Sequence, residues 1–337
     1  MRTVNIPVFV PHKGCPNDCV FCNQKTITGK SDMTPEIAAK YIEKCIKTIP
    51  ENAKCQIAFF GGSFTAVEKT LQEEFLKTAF PYVKSGAVSG IRVSTRPDCI
   101  DKENLKLLKN YGTEAIELGV QSTDDNVLRL ANRGHTFEDV KNAVKIIKEF
   151  GGFELGLQMM TGLLGDTYEK TVKTAQDIID LGADTTRIYP TLVIRGSRLA
   201  QMYEKGEYEP ISVKEAVRRC AAVYEMFLKA NMRVLRMGLM SSEEIRENSG
   251  SVLAGPVCSN FGERVYSKIF LNKFEKCRDG KSELCVAVNP KDISKAVGNR
   301  KENICYFKEK FACELKIEAD SSVLQNEIKV TEGKKCI

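Results

Sequence analysis

The chain has 337 residues, of which 42% are hydrophobic and 28% charged, and its formal net charge is +6 at pH 7. This length exceeds a typical domain of ~100–200 residues and suits one large barrel with an appendage. The sequence contains neither the run of about 18 apolar residues that a membrane span needs nor the features of a signal peptide, so we expect a cytoplasmic protein without membrane association.

Short β-branched or aromatic runs alternate with longer amphipathic runs through the first part of the chain. The predicted strands are Asn5–Val10, Gln56–Phe60, Ile91–Thr95, Ala115–Val120, Phe153–Met160 and Thr186–Thr191. The predicted helices between them are Thr34–Lys47, Leu71–Thr78, Lys102–Asn110, Phe137–Glu149 and Tyr168–Asp180. Such βα units in series imply a parallel sheet with right-handed crossovers, which is either doubly wound or a partial barrel.

The remainder of the chain divides into a connector and a small second domain. A helix-rich stretch lies at Ser212–Ala230, and the loop-rich stretch Arg236–Glu263 has the composition of an exit from the barrel. Cys285–Asp320 has the order strand, helix, tight loop, helix, strand. We therefore predict a barrel at 1–240, a connector at 241–280, an α+β domain at 281–322 and a tail at 323–337.

Three of the thirteen cysteines, Cys15, Cys19 and Cys22, lie directly after the first predicted strand. Cysteines of a cytoplasmic protein indicate thiols or metal ligands rather than disulfides, and barrel loops at the carboxyl ends of strands carry the chemistry. Thiolates at this spacing can each bind one iron of a four-iron cluster and leave the fourth iron without a protein ligand, open to a small molecule. Phe21 would shield one side of such a cluster.

Other interpretations of the cysteines stay open at this point. The first three could bind zinc with one distant ligand such as His12, or they could be buried thiols. Five further cysteines are candidates for a second metal site: Cys258, Cys277, Cys285, Cys305 and Cys313. Their spacings lack the tight CxxC of a metal knuckle, which favours ordinary thiols.

The pattern CxxxCxxC with an aromatic residue before the third cysteine resembles the signature of the radical S-adenosylmethionine (SAM) superfamily. The resemblance implies a partial (β/α)6 barrel of the TIM type, a [4Fe-4S] cluster and the cofactor S-adenosyl-L-methionine. It also implies that the methionyl amine and carboxylate of SAM bind the fourth iron. One electron, from a donor such as ferredoxin or flavodoxin, would then cleave the sulfonium and release a 5′-deoxyadenosyl radical.

The resemblance extends to residues that would hold SAM. In the sequence FFGGSFT, Gly61, Gly62 and Ser63 resemble the motif that binds the methionyl ammonium. Two glycines allow a ligand to approach the backbone closely. Ser94 is a further candidate SAM contact; it stands where relatives usually have a glutamate, and Arg96 or a water would help to remake that contact.

Two later strands supply the other expected SAM contacts. Gln121, at the end of the fourth predicted strand, would contact the ribose, and Arg133 would bind the methionyl carboxylate. Arginine matches a carboxylate with two parallel hydrogen bonds. Gln158, near the end of the fifth strand, is a further candidate. His135 is interpreted as a hydrogen-bonding residue, because radical abstraction needs no general base.

Within the superfamily, residues 1–240 resemble the radical domain of the catalytic subunit of Elongator, which modifies the wobble uridine of tRNA. Ile188–Pro210 is the most specific part, and its Tyr189 and Arg195 are candidate substrate contacts. Elongator's subunit differs in spacing its first two cysteines much further apart and in carrying a C-terminal acetyltransferase domain, whereas we find no acyl-CoA-type loop here. The carboxymethyluridine reaction is therefore not carried over.

The predicted C-terminal domain resembles a KH RNA-binding module. Gly298–Lys301 stands where that module has its GxxG loop, which brings backbone amides onto phosphates. Lys301 replaces the second glycine, but Arg300 and Lys301 add positive charge toward RNA. A small α+β cap without a nucleic-acid role is the alternative.

The leading hypothesis is a radical SAM enzyme that acts on RNA, with a tRNA base as its substrate. The motifs also resemble oxygen-independent coproporphyrinogen oxidase, so a small-molecule or porphyrin-like substrate is the second hypothesis. The third is a non-catalytic RNA-binding protein whose cysteines hold a structural metal. That third hypothesis leaves the co-occurrence of Gly62, Gln121 and Arg133 unexplained.

Overall fold

The computed structural model describes residues 2–10, 15, 18–23, 33–50, 52–238 and 250–331. Its strands, in chain order, are β1 Arg2–Val10, β2 Ala53–Gly61, β3 Gly90–Thr95, β4 Thr113–Gln121, β5 Glu154–Thr161, β6 Thr185–Pro190, β7 Val193–Ile194, β8 Arg233–Met237, β9 Val252–Ala254, β10 Glu283–Val288, β11 Glu314–Ala319 and β12 Ile328–Thr331. Seven of them, β1 to β6 and β8, lie side by side in that order in one parallel sheet.

The predicted partial barrel is confirmed, because this sheet curls into a half-barrel. All six predicted strands are present, but a seventh, β8, was missed. The prediction placed the barrel exit at Arg236, which pairs in register with Arg187 of β6. A short strand with inward-facing arginines shows no apolar alternation, and for this reason the sequence pattern did not reveal it. In the described part of the chain, β1 and β8 are the two unpaired edges of the sheet.

The helices, in chain order, are α1 Pro35–Ile46, α2 Lys69–Lys84, α3 Lys102–Asn110, α4 Asp125–Leu130, α5 Phe137–Phe150, α6 Tyr168–Asp180, α7 Arg198–Glu204, α8 Val213–Lys229, α9 Phe261–Cys277, α10 Ile293–Val297 and α11 Glu302–Phe311. The five predicted helices are present, and α2 is longer than predicted. The predicted helix-rich connector forms α8. None of the described helices has both the length and the apolar character that a membrane crossing needs.

Local capping explains where the helices begin. The Thr34 side chain accepts a hydrogen bond from the Ile37 amide, and Pro35 occupies the first helical position of α1. At α5, Thr136 and Asp139 form a reciprocal capping box. These signals fix the start of each crossover helix, and its apolar face then packs against the sheet.

The two faces of the barrel sheet differ in chemistry. Its outer face, beneath the helices, carries fully buried apolar side chains that include Ile57, Phe59, Ile91, Val93, Leu118 and Leu157. Its inner face, which we call the lumen, carries an ion-pair network that includes Arg92, Glu117 and Arg187. Inward and outward side chains alternate along each strand, so one sheet separates an apolar shell from a polar interior.

The C-terminal domain has the predicted order β10, α10, α11, β11. Strand β10 pairs parallel with β11 and antiparallel with β12. Phe270 and Phe274 of α9 pack with Phe307 of α11 in the core of this domain. The segment expected to be a connector thus contributes α9 to the domain, and the segment expected to be a tail contributes β12. The C-terminal domain therefore extends beyond the predicted range 281–322 on both sides, because apolar contacts of α9 and strand pairing of β12 continue outside it.

Candidate active site

The loop that carries Cys15, Cys19 and Cys22 leaves the carboxyl end of β1. Its backbone is anchored where the Val20 amide donates to the Ala131 carbonyl at 3.0 Å and the Val20 carbonyl accepts from Leu199 at 2.7 Å. Cys19 is buried, and the other two thiols are partly exposed. The loop therefore lies against the turn after α4 and against the first residues of α7.

The expected glycine motif lies beside this loop. The Gly62 amide donates to the Val10 carbonyl at the end of β1, at 3.3 Å. Gly61 has a φ of 112°, a backbone conformation that favours glycine. Ser63 is fully buried, and its hydroxyl pairs with that of Thr95 at 2.9 Å. The end of β2 thus lies next to the start of the cysteine loop.

Arg133 contacts the cysteine loop directly. Its Nη1 donates to the Cys19 Sγ at 3.4 Å, and its Nη2 donates to the Gly119 carbonyl at 2.7 Å. Its Nε is buried without a hydrogen-bond partner. A buried unpaired donor is unfavourable, so this guanidinium has remaining capacity for an anionic ligand.

Gln121 occupies a strained position next to Arg133. Its φ is 70°, and the register between β4 and β5 shifts between Gly119 and Gln121. Non-glycine residues in this left-handed region cluster at functional sites, where the surrounding structure holds them. The Gln121 Oε1 is buried and has no partner, which leaves an acceptor free for a ligand hydroxyl.

Arg96, expected only as a substitute contact, is central to the site. Its Nη2 donates to the Arg133 carbonyl at 2.6 Å, and Asp98 pairs with its Nε at 2.9 Å. The Ser63 hydroxyl accepts from the Arg96 amide at 3.2 Å. Its Nη1 is buried without a partner. The structure therefore brings together Ser63, Arg96, Gln121 and Arg133, although they come from three different strand ends.

The titratable groups near the cysteine loop are strongly affected by burial. Burial raises the pKa of the Cys15 thiol, and the neighbouring Cys19 raises it further, whereas Arg133 and Arg96 lower it. Burial also lowers the pKa of His135 to about 4, with Arg133 and Arg96 acting in the same direction. The His135 Nε2 lies 3.3 Å from the Val120 carbonyl oxygen. His135 is therefore neutral at pH 7 and takes part in a hydrogen bond, consistent with the expected role.

Ser94 and Gln158 lie deeper in the lumen. The Gln158 Nε2 contacts the Ser94 Oγ at 3.3 Å and the Glu117 Oε2 at 2.7 Å. Glu117 is the carboxylate at the centre of the ion-pair network with Arg92 and Arg187. These two predicted SAM contacts are thus joined to the network rather than to the cysteine loop.

The described residues suit the cofactors that the sequence implies. Three thiols share one loop, and three buried polar atoms without partners lie on Arg96, Gln121 and Arg133. Thiolates are the ligands that iron–sulfur clusters require, and the unpaired donors and acceptor match the carboxylate and ribose of SAM. Among the described side chains, no three His, Cys, Asp or Glu are arranged to hold a metal ion as they stand.

Comparison with known families decides the class of this site. The profile described as the Radical SAM superfamily matches residues 9–178, about half of the chain, and covers the cysteine loop, Arg133 and Gln158. The chain belongs to the radical SAM superfamily. The radical SAM C-terminal domain matches residues 183–270. The sequence prediction of a radical SAM enzyme is confirmed, and the family implies a [4Fe-4S] cluster and SAM as cofactors.

Known radical SAM relatives include proteins that act on tRNA. An uncharacterised protein of Methanocaldococcus jannaschii is 30% identical, over 64% of this chain and 69% of that protein. A tRNA uridine(34) acetyltransferase of Methanocaldococcus infernus is 29% identical, over 70% of this chain and 46% of that protein. The structure of Methanocaldococcus infernus Elp3 with an N-terminal deletion has a TM-score of 0.63 and 24% identity, and covers 82% of this chain and 63% of that one.

These matches confirm the expected likeness to the catalytic subunit of Elongator. At 24% identity, the likeness to the archaeal structure shows the fold alone. The chain spans about half the length of the tRNA uridine(34) acetyltransferases that it matches, covering 54%, 46% and 56% of three of them.

The predicted substrate contacts lie in separate places. Tyr189 faces the lumen from β6, whereas Arg195 follows β7 and its Nε donates to the Gly250 carbonyl at 2.7 Å. Arg300 and Lys301 form the turn between α10 and α11, both with left-handed backbone conformations. Asn23, just after the cysteine motif, donates from its Nδ2 to the Arg195 carbonyl at 2.9 Å. Within the described residues, Arg195 is thus the one of these four side chains whose residue is linked directly to the segment that carries the cysteines.

The sequence analysis did not predict every residue of the site, and one residue that it considered lies outside the described part of the chain. Gly119 and Cys99 were not predicted, and His12, the alternative zinc ligand, lies outside the described residues. Burial raises the pKa of the Cys99 thiol, which lies close enough to Cys15 to affect it. Gly119 belongs to the GVQ motif that contains the predicted Gln121, so this motif could have indicated it. The five cysteines considered for a second metal site include the exposed Cys305, and their interpretation as thiols stays a prediction.

Replacing Gly119 with alanine is expected to weaken SAM binding. An added Cβ would lie 2.7 Å from the Arg133 Nη2 and 2.8 Å from the Gln121 Nε2, so both proposed SAM contacts must move. We expect the dissociation constant for SAM to rise about tenfold or more, measured by equilibrium dialysis on reconstituted protein. Gly262→Ala is the matched control, because no atom lies within 4 Å of its added Cβ. Equal affinity in both variants would contradict the assignment.

Proposed function

We propose that this radical SAM enzyme acts on RNA and modifies a base of tRNA. The observation that carries the proposal is the 29% identity to a tRNA uridine(34) acetyltransferase over 70% of the chain. The mild positive charge of the chain is consistent with a polyanionic partner. The acetyl transfer named for that relative is left out of the proposal, because this chain corresponds to less than half of it.

The residues at the carboxyl ends of the strands have separable roles in this proposal. Cys15, Cys19 and Cys22 would hold the cluster, and Arg133 and Gln121 would position the carboxylate and ribose of SAM. When bound, the cluster and SAM supply a 5′-deoxyadenosyl radical by one-electron cleavage of the sulfonium. The protein would then hold SAM and the substrate in the relative position that the reaction needs, and it would limit the access of water.

The lumen has side chains that could contact an RNA base turned out of its helical stack. Phe60 of β2 lies partly exposed on the lumen side, and the Arg187 guanidinium lies 5.1 Å from its ring centroid. Ser94 on β3 and Tyr189 on β6 offer hydroxyl groups. Enzymes that modify bases take the target nucleotide out of the stack and read it by hydrogen bonds and aromatic contacts. These side chains therefore suit a single unstacked base.

The C-terminal domain would contribute electrostatic contacts to RNA. Arg300 and Lys301 lie in the turn before α11, where two successive residues adopt left-handed conformations. Gly298 begins this turn, and a Cβ there would lie 2.6 Å from the Glu302 Cγ and 2.7 Å from the Ser267 Oγ. The glycine is therefore required for the turn, which presents two cationic side chains beside it. We propose that these cations contact RNA phosphates, as the KH-like interpretation predicts.

The test measures 5′-deoxyadenosine from anaerobically reconstituted, reduced enzyme with SAM, with and without bulk tRNA. We expect tRNA to stimulate production about tenfold, because substrate binding energy is used in the reaction that consumes SAM. Polyuridylate is the control for nonspecific polyanion effects, and nucleoside analysis of the recovered tRNA identifies the product. A rate indifferent to tRNA but raised by a metabolite extract would instead support the small-molecule or porphyrin-like alternative. The non-catalytic hypothesis is not retained, since the family is one of enzymes.

A further inference from the structure

Two arginines lie side by side in the lumen. Strands β6 and β8 are parallel neighbours, and Arg187 pairs in register with Arg236. Residues paired in this way place their side chains on the same face of a sheet. Arg187 faces the lumen, since its guanidinium contacts Glu117, and Arg236 therefore faces it as well. Both lie toward the carboxyl ends of their strands, where barrel enzymes bind substrate.

The charge of Arg187 is already neutralised. Its Nε donates to the Glu117 Oε2 at 2.5 Å, and its Nη2 donates to the Glu117 Oε1 at 2.9 Å. Glu117 also accepts from Arg92 at 3.1 Å and from Gln158 at 2.7 Å. These four hydrogen bonds occupy both carboxylate oxygens. Glu117 therefore cannot serve as the counter-ion of a further arginine.

Among the described residues, Arg236 has no such counter-ion. It is half-buried, and no carboxylate of the described residues forms an ion pair with it. Burial lowers the pKa of Arg236, and the neighbouring Arg187 acts in the same direction. A guanidinium held in a partly dry space beside another cation is unfavourable unless an anion joins it.

Tyr189 completes the arrangement. It lies two residues after Arg187 on β6, so its side chain faces the lumen too. Burial raises the pKa of its phenol, which is therefore protonated at neutral pH. The nearby charge of Arg187 opposes this effect of burial on the pKa, and the protonated phenol keeps a proton that it can donate to a ligand. A cation and a neutral donor thus stand on adjacent strands.

We propose that Arg236 and Tyr189 bind one oxyanion of the substrate, a phosphate or a carboxylate, inside the barrel. A guanidinium and a hydroxyl donor together match the oxygens of either group. This oxyanion site is distinct from the site proposed for the SAM carboxylate. At the SAM site the guanidinium is that of Arg133, which lies beyond the end of β4. Where the proposal specifies a phosphate, it rests on the proposed RNA substrate, and the oxyanion is then that of the unstacked nucleotide.

The test measures the binding of uridine 5′-monophosphate, uridine and inorganic phosphate to the reconstituted enzyme by isothermal titration calorimetry. We expect the monophosphate to bind about tenfold more tightly than uridine, and inorganic phosphate to compete with it. Arg236→Gln should remove this difference, Arg236→Lys should retain part of it, and Tyr189→Phe should weaken it. Arg233→Gln, on the same strand but half-exposed and paired with Glu154, is the matched control that should retain it. Thermal melts establish that each variant is folded.

The outcomes separate the two proposals. If acetate or a small dicarboxylate binds in an Arg236-dependent way and the monophosphate does not, the oxyanion site is supported and the nucleotide substrate is contradicted. If tRNA stimulates SAM cleavage but no oxyanion depends on Arg236, the RNA substrate stands and the oxyanion site is overturned. Arg236→Gln protein that binds SAM more weakly and the monophosphate normally also overturns the site, since it assigns Arg236 to the cofactor.

Discussion

The Cys22→Ala protein is expected to lose its iron and its ability to cleave SAM. Cys22 is the third cysteine of the CxxxCxxC motif, and the radical SAM profile covers it. Loss of a metal ligand should reduce activity by more than the roughly 10–100-fold that is typical when a residue hydrogen-bonded to a ligand is replaced. Iron and sulfide content, together with 5′-deoxyadenosine production under reducing conditions, are the measurements.

Cys305→Ala is the matched control for this experiment. Cys305 is exposed on α11 in the C-terminal domain, so its removal should leave iron content and SAM cleavage unchanged. Both variants should give the circular dichroism spectrum of the parent protein. Cluster content at the parental level in the Cys22→Ala protein would contradict the assignment of this thiol as a ligand.

Replacing Glu117 with glutamine is expected to lower the free energy of unfolding by about 3–5 kcal/mol. Glu117 and Arg92 are both 1% exposed, and Arg187 is 7% exposed. Burial alone would raise the pKa of Glu117, but the hydrogen bonds and charge of Arg187, together with Arg92, hold it below its usual value. The neutral amide leaves two buried guanidinium groups without their central counter-ion. Urea unfolding of the apoprotein at pH 7 measures the change.

The same network predicts a direction for pH dependence. The folded pKa of Glu117 is lowered, so its contribution is present above the unfolded pKa of a glutamate and is lost as pH falls through the folded value. The decrease in the free energy of unfolding between pH 7 and acidic pH should therefore be smaller in the Glu117→Gln protein. Glu103→Gln is the control, because Glu103 pairs with Lys69 on the surface, where solvent screens the ion pair, and its replacement should change stability little. Similar losses in both variants would argue against a buried network.

The fold could be predicted where apolar periodicity determines it. Strands β1 to β6 and their crossover helices carry alternating or amphipathic patterns, because one face of each packs in the outer shell of the barrel. Strand β8 could not be found in this way, since Arg236 faces the lumen and interrupts the pattern. The same applies to β12, which joins the C-terminal sheet through backbone pairing after a loop.

The site could be predicted where the chain has a recognised motif, and not where the geometry arises from distant strands. The cysteine motif was predicted from its spacing and Arg133 from the resemblance to radical SAM proteins, and the structure brings Cys19 and Arg133 into contact. Arg96 and Gly119 gain their roles only when the ends of β3 and β4 lie next to each other. The ion-pair network around Glu117 joins strands far apart in sequence, so no local pattern indicates it.

The anchoring of the cysteine loop has a consequence for assembly of the holoenzyme. Backbone hydrogen bonds from Val20 to Ala131 and from Leu199 to Val20 tie this loop to elements that the apolar core already holds in place. Folding therefore restrains the loop at Val20, between Cys19 and Cys22, before any iron binds, unlike small zinc domains that fold only when metal binds. We therefore expect cluster insertion to be a local event on a folded polypeptide, and a chain that has lost its cluster to accept a new one without refolding.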